Sequence, residues 1–204
     1  MRKLFILLVF FSYQVSAQLN IGYQRPVAEI ADLLEAPLTP TVAFSPDNHW
    51  MVLLDRSDYP SIEELSRPEL RIAGLRINPE NFGRSRGAYL IGLKFKSLGD
   101  KKDYEISNLP SPLLISDYNF SPDSKKLAFL QNYNNRIELW MVDMDTKRAS
   151  KITERKINNV FSDSFHWLSD SEHVLFTAVP ADLKPLTEKS RVPSGPVIDR
   201  KSVV

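Results

Sequence analysis

The chain has 204 residues, enough for one domain or for a domain and part of another. Its 26 basic and 25 acidic side chains nearly cancel to a formal charge of +1, which argues against a nucleic-acid partner. With no cysteine there is neither a disulfide framework nor a thiolate metal site, and 14 prolines against 7 glycines favour loops and short strands over long helices.

In chain order, Arg2-Lys3 precede an apolar run from Leu4 to Phe11, followed by Ser12-Tyr13-Gln14 and the small-residue ending Val15-Ser16-Ala17. A charged start, a short apolar stretch and a small-residue cleavage site read as a secretory signal peptide over 1–17. The run is shorter than the roughly 20 residues that a membrane helix needs. The expectation is therefore export, periplasmic or secreted, with a mature start at Gln18 and no membrane span after cleavage. Residues 18–40 carry one short helix in "RPVAEIADLLEAP", with Val27, Ile30, Leu33 and Leu34 expected on one face between two prolines.

From 41 to 180 the pattern changes to strands. "VAFSPDNHWMVLLD" from Val42, "YNFSPDSKKLAFLQ" from Tyr118 and "FHWLSDSEHVLFTA" from Phe165 each run aromatic residue, Ser/Pro/Asp turn, apolar strand. Proline presets φ for such a turn, and aspartate or serine bonds the backbone two residues on. Phe44, Phe120 and Trp167 are spaced by 76 and 47 residues, so a repeat of roughly 40–50 residues reads as a β-propeller blade. The wider interval then holds an insertion near 56–87. The middle copy predicts four strands: Leu113–Phe120, Lys126–Leu130, Ile137–Met144 and, after the turn Asp145-Thr146-Lys147, "ASKITE". The fold class expected is all-β, an incomplete β-propeller of about two to three blades after the signal peptide and the short helix. A propeller closes its ring with four or more blades, and 181–204 reads as a Pro-rich truncated tail, so the chain is expected to be the front of a larger protein. The alternative is a genuine tail on a small β domain.

Gly83-Arg84-Ser85-Arg86-Gly87 matches the G-x-S-x-G of a hydrolase nucleophile elbow. An elbow needs a buried strand before the serine and a helix after it. Here Asn78-Pro79-Glu80-Asn81-Phe82 reads as loop and "AYLIGLKFKSL" as strand, so Ser85 is not expected to be a nucleophile. His49, His166 and His173 sit at or beside blade turns, none paired at helical metal spacing, and Asp143 and Asp145 lack the glycine and glutamate of a calcium loop. No catalytic, metal or cofactor residue is assigned. Arg67, Arg71, Arg76, Arg84 and Arg86 lie within 20 positions, with Glu63, Glu64 and Glu69 among them. Such guanidinium groups either pair with the neighbouring glutamates, the preferred reading, or bind an external carboxylate as a bidentate fork.

"FSPDNHWMVLLDR", "IEELSRPELRIAGLRINP", "FSPDSKKLAFL", "IELWMVDMDT" and "VPSGPVI" together resemble the N-terminal propeller of the prolyl oligopeptidase family of serine peptidases, and within it the glutamyl endopeptidase branch. The stretch "RPELRIAGLRINP" is the most specific of them. The resemblance implies a seven-bladed propeller that gates peptide access to an α/β-hydrolase domain with a Ser-Asp-His triad, cutting after acidic residues. It makes Arg71 and Arg76 candidate contacts for acidic substrates. The C-terminal hydrolase domain lies outside this chain, so no family catalytic residue is carried onto it. The peptide partners are those of the full-length protein, and no cofactor is implied. The alternative is an exported, propeller-type binding module of the cell envelope without peptidase activity.

Overall fold

The Ser/Pro/Asp turns set the register of the strands that follow them. The computed structural model describes residues 25–57, 59–60, 62–161 and 163–183; the expected signal peptide and most of the Pro-rich tail lie outside these. The chain divides into two units, Met1–Pro37 and Leu38–Val204.

In the first unit, helix α1 (Ala28–Leu34) follows Pro26 and the N-cap residue Val27, which makes no side-chain cap. Arg25 pairs with Glu35 at 2.8 Å across the helix. The buried residue is Ala31, whereas Val27, Ile30, Leu33 and Leu34 are each more than half exposed. The helix forms as expected; Ala31, on the same face as Val27 and Leu34, is buried, while the larger apolar side chains stay largely exposed.

The second unit is built of antiparallel strands: β1 (Thr41–Phe44), β2 (Trp50–Leu54), β3 (Leu70–Ile72), β4 (Leu75–Asn78), β5 (Gly83–Arg84), β6 (Lys94–Ser97), β7 (Asp103–Tyr104), β8 (Ile115–Phe120), β9 (Lys126–Asn132), β10 (Ile137–Asp143), β11 (Arg148–Lys151), β12 (Phe165–Trp167) and β13 (Val174–Phe176). A short helix α2 (Ile62–Ser66) precedes β3. One four-stranded sheet runs β1-β2-β6-β7, a second β8-β9-β10-β11, and β12-β13 begin a third. These are up-and-down meanders of the propeller-blade kind, and the chain folds as the incomplete, all-β propeller expected. The middle sheet follows the strand-by-strand reading closely. In "AYLIGLKFKSL" only Lys94–Ser97 is strand, because Leu90 instead bridges Arg56 and Ile115.

The sheets stack through the middle one. Strand β9 alternates its side chains between two cores: Leu127 and Phe129 pack toward Val52, Leu54 and Phe95 of the first sheet. Ala128 and Leu130 pack with Ile157 and Phe165 on the other side. All four β9 residues are fully buried, which is why this strand reads as a continuous apolar run and not as an alternation.

Each turn repeats the same local chemistry. The residue after the aspartate, Asn48, Ser124 or Ser171, has φ near +60°, a conformation that short polar residues tolerate. Asp47 accepts the Ser45 hydroxyl and the His49 N–H; Asp123 accepts the Ser121 hydroxyl and the Lys125 N–H. Asp170 accepts the N–H groups of Glu172 and His173. The turns also bond to one another: the Asp47 N–H donates to Ser124 Oγ at 3.0 Å, and the Asp123 N–H to Ser171 Oγ at 3.0 Å. The equivalent serine of each following repeat thus caps the turn before it.

The hydroxyl of Ser45 holds the Asp47 carboxyl down to about 2, and the Glu172 N–H is the first cause of the same depression at Asp170. A carboxyl with a depressed folded-state pKa stabilises the fold above its unfolded value of about 3.9, and that contribution is lost as pH falls toward the folded value. In urea unfolding from pH 6 to pH 2, the stability gap between the native chain and an Asp47→Asn/Asp170→Asn variant is expected to close between about pH 4 and pH 2; a gap independent of pH contradicts this assignment. At neutral pH, Phe129→Ala is expected to cost about 3–5 kcal/mol and Ser124→Ala about 1 kcal/mol in the same assay.

Candidate functional site

Between β2 and β6 the chain leaves the first sheet and builds the small sheet β3-β4-β5. Strands β3 and β4 are joined by Ala73-Gly74, with φ of +48° and +84°. Two positive φ values in a two-residue loop make a turn whose twist matches the strands, and glycine tolerates the second at no steric cost. The tight turn fixes the register, which places Arg71 directly opposite Arg76. Like charges facing each other across strands are unfavourable unless something intervenes.

Glu69 intervenes. Its Oε1 accepts Nε and Nη2 of Arg71, each at 2.7 Å, and lies 3.7 Å from Nη1 of Arg76. Its Oε2 accepts the Ser85 hydroxyl at 3.3 Å and lies 3.5 Å from Nε of Arg86. The hydrogen bond from Arg71 is the first cause that holds the Glu69 carboxyl below the usual range, followed by the charges of Arg86, Arg71 and Arg76. The glutamate side chain is only 10 % exposed, whereas those of Arg71, Arg76 and Arg86 are 68, 49 and 40 % exposed. One carboxylate therefore sits inside a rim of three guanidinium groups, leaving a surplus of two positive charges toward solvent. A cavity of about 290 Å³ lies beside it, lined by Gly74, Leu75, Arg76, Arg84 and Ser85.

The preferred reading of the arginine cluster, pairing with neighbouring glutamates, holds for Arg71, Arg76 and Arg86, and also for Arg67, which contacts Glu63 and Glu64 at 3.3 Å. Arg71 and Arg76 are brought together, though by different grips. Arg71 is clamped by close hydrogen bonds; Arg76 makes one long ion pair among the described residues. Arg86 belonged to the arginine cluster expected from the sequence, whereas the approach of Ser85 to Glu69 follows from the β4–β5 pairing and was not expected.

Ser85 is not at an elbow. Its N–H donates to the Arg76 carbonyl at 3.0 Å at the end of the two-residue strand β5, and the next element among the described residues is strand β6, not a helix. Its hydroxyl faces a carboxylate, while His49 and His173 are each engaged by their own turn aspartates at 2.9 and 2.7 Å. Gly83 has a packing role: a Cβ there would lie 2.8 Å from Cδ1 of the buried Ile137. Around it Asn81 accepts the Gly83 N–H and donates to the Tyr133 carbonyl, which seats the small sheet against the β9–β10 turn.

A second cavity of about 380 Å³ is lined by Arg84, Tyr89, Ser116, Asp117, Asn132, Asn159 and Asp163, among others. Ser116 is the extra residue where the β8–β9 register shifts, and burial pushes the Asp117 carboxyl up. Among the described residues no group of three or more His, Asp or Glu side chains is placed to hold a metal ion, and no helix is long and apolar enough to cross a membrane.

Removing the Glu69 charge leaves three guanidinium groups in mutual repulsion, which salt screens. Glu69→Gln is thus expected to lower the melting temperature, with a deficit that shrinks between 20 mM and 500 mM NaCl; a deficit insensitive to salt contradicts the electrostatic role.

No protein-family model matches the chain. Among curated proteins, it is 30% identical over 191 residues to a probable chloroplastic glutamyl endopeptidase of Oryza sativa subsp. japonica, covering 87% of this chain and 20% of that protein. It is 31% identical over 190 residues to the corresponding protein of Arabidopsis thaliana, with the same coverage. Among solved structures, the acylaminoacyl peptidase of Pyrococcus horikoshii is 15% identical with a TM-score of 0.42, over 79% of this chain and 20% of that one. The β-propeller domain of the trilobed protease from Pyrococcus furiosus is 16% identical with a TM-score of 0.36, over 68% and 35%. The relationship is carried by the sequence matches. The chain is a sequence relative of the glutamyl endopeptidases, the branch that its motifs resemble, over a segment spanning one fifth of their length.

Proposed function

We propose that this chain is the propeller part of an exported serine peptidase, where it gates the access of peptides to a hydrolase domain and contacts their acidic side chains through Arg71 and Arg76. The observation that carries the reading is the surplus of guanidinium over carboxylate around Glu69, with the arginines more exposed than the acid they surround. An acidic side chain arriving from solvent meets net positive charge and forked donors, a geometry suited to carboxylates. The related proteins are named for glutamyl endopeptidase activity, which supports an acidic substrate class. In such an enzyme a serine attacks the scissile carbonyl, histidine takes its proton and aspartate orients the histidine, all supplied by the hydrolase domain. The propeller's contribution is selection, by size and by charge. Export rests on the Arg2-Lys3 start, the apolar run to Phe11 and the Val15-Ser16-Ala17 ending.

In the full-length enzyme, Arg71→Gln/Arg76→Gln is expected to reduce the ratio of kcat/KM for a glutamyl over an alanyl peptide by about tenfold or more, one charge-assisted contact being worth roughly 1.5–3 kcal/mol. An unchanged ratio removes both arginines from substrate selection. Export is tested separately, by sequencing the N-terminus of the protein recovered from the periplasm or medium: Gln18 is expected, and retention in the cytoplasm with Met1 intact contradicts it.

A further inference from the structure

Resting on the reading that Arg71 and Arg76 face acidic ligands, we propose that residues 83–87 form the fixed wall of a carboxylate cage whose resident occupant is Glu69, and that an acidic side chain competes with Glu69 for the same guanidinium groups. The G-x-S-x-G stretch is thereby assigned a binding role in place of a catalytic one.

Three observations support this. The wall is held independently of Glu69: the Ser85 N–H bonds the Arg76 carbonyl at 3.0 Å, the Gly83 N–H bonds the Asn81 side chain at 2.9 Å, and Gly83 lies tight against Ile137. The resident carboxylate is unevenly gripped. Among the described residues Arg71 alone holds it at 2.7 Å, while Arg86 at 3.5 Å and Arg76 at 3.7 Å lie beyond a strong charge-assisted hydrogen bond. Their donors thus retain capacity for a second carboxylate. Finally, a cavity of about 290 Å³ opens beside Arg76 and Ser85, room enough for a short acidic side chain. Glu69 both keeps Arg71 and Arg76 from repelling each other and repels the ligand they attract. It acts as an intramolecular competitor that sets the affinity of the site.

The test uses the purified protein and two blocked tripeptides, acetyl-Ala-Glu-Ala-amide and its Gln counterpart, titrated calorimetrically. Glu69→Gln keeps the shape and an acceptor for Ser85 while removing the charge. It is expected to bind the Glu peptide roughly fivefold tighter, the effect of removing one like charge a few ångströms away in water, with the Gln peptide unaffected. Arg86→Gln is expected to weaken the Glu peptide alone. Glu69→Asp, which keeps the charge but shortens its reach, is expected to fall between Glu69→Gln and the native chain. The competition is overturned if Glu69→Gln and Glu69→Asp bind the Glu peptide no tighter than the native chain does. If the native chain prefers the Glu peptide and loses that preference in Arg71→Gln/Arg76→Gln while the Glu69 variants show no gain, the arginines select acids but Glu69 does not compete. If neither native nor Glu69→Gln protein distinguishes the peptides, both the competition and the acid-binding reading fail.

Discussion

Everything in the larger unit depends on a middle sheet buried on both faces. Strand β9 sends Leu127 and Phe129 into one core and Ala128 and Leu130 into the other, so neither neighbouring sheet has a core without it. The burial is non-directional and by itself sets no order of sheets. Direction comes from the turns, where an aspartate N–H of one repeat meets a serine hydroxyl of the next. The same bond occurs twice, with its donors 76 residues apart in sequence at Asp47 and Asp123. It couples a local turn motif to the stacking of whole sheets, and the buried apolar faces supply the energy while the turns supply the register.

On this scaffold the inserted small sheet is held in place by its own residues. The Ala73-Gly74 turn fixes the pairing that opposes Arg71 and Arg76, and Asn81 and Gly83 seat the far strand against the middle sheet. The opposition of two arginines is a cost that the fold accepts, and Glu69 offsets it only partly, since one negative charge faces three positive ones. A surface that only needed to be stable would balance these charges. The surplus is the physical basis for the proposal that the hairpin recognises acidic groups.

Much of this was legible in the sequence. The three aromatic–turn–strand segments located the sheets, because proline and aspartate constrain the backbone locally and the constraint does not depend on the rest of the fold. That the backbone around Ser85 is not a strand–turn–helix elbow was equally legible, since Asn78-Pro79 before it reads as loop and no helical pattern follows it. The arginine cage was only half legible. The clustering of Arg71, Arg76 and Glu69 is a matter of neighbours along the chain, but the arrival of Ser85 and Arg86 depends on β4–β5 pairing across a loop. On α1 the apolar face was legible, but not that its small member Ala31 is the residue covered while the larger ones stay exposed.

The proposed carboxylate binding by the hairpin can be read at the arginines themselves. Proton–nitrogen NMR spectra of the guanidinium Nε–H groups, recorded while a blocked glutamyl peptide is added, report which forks acquire a new acceptor. The Nε–H signals of Arg76 and Arg86 are expected to shift in a saturable way with the glutamyl peptide and to stay in place with its glutaminyl counterpart. Signals that stay in place with both peptides, or shift equally with both, contradict it.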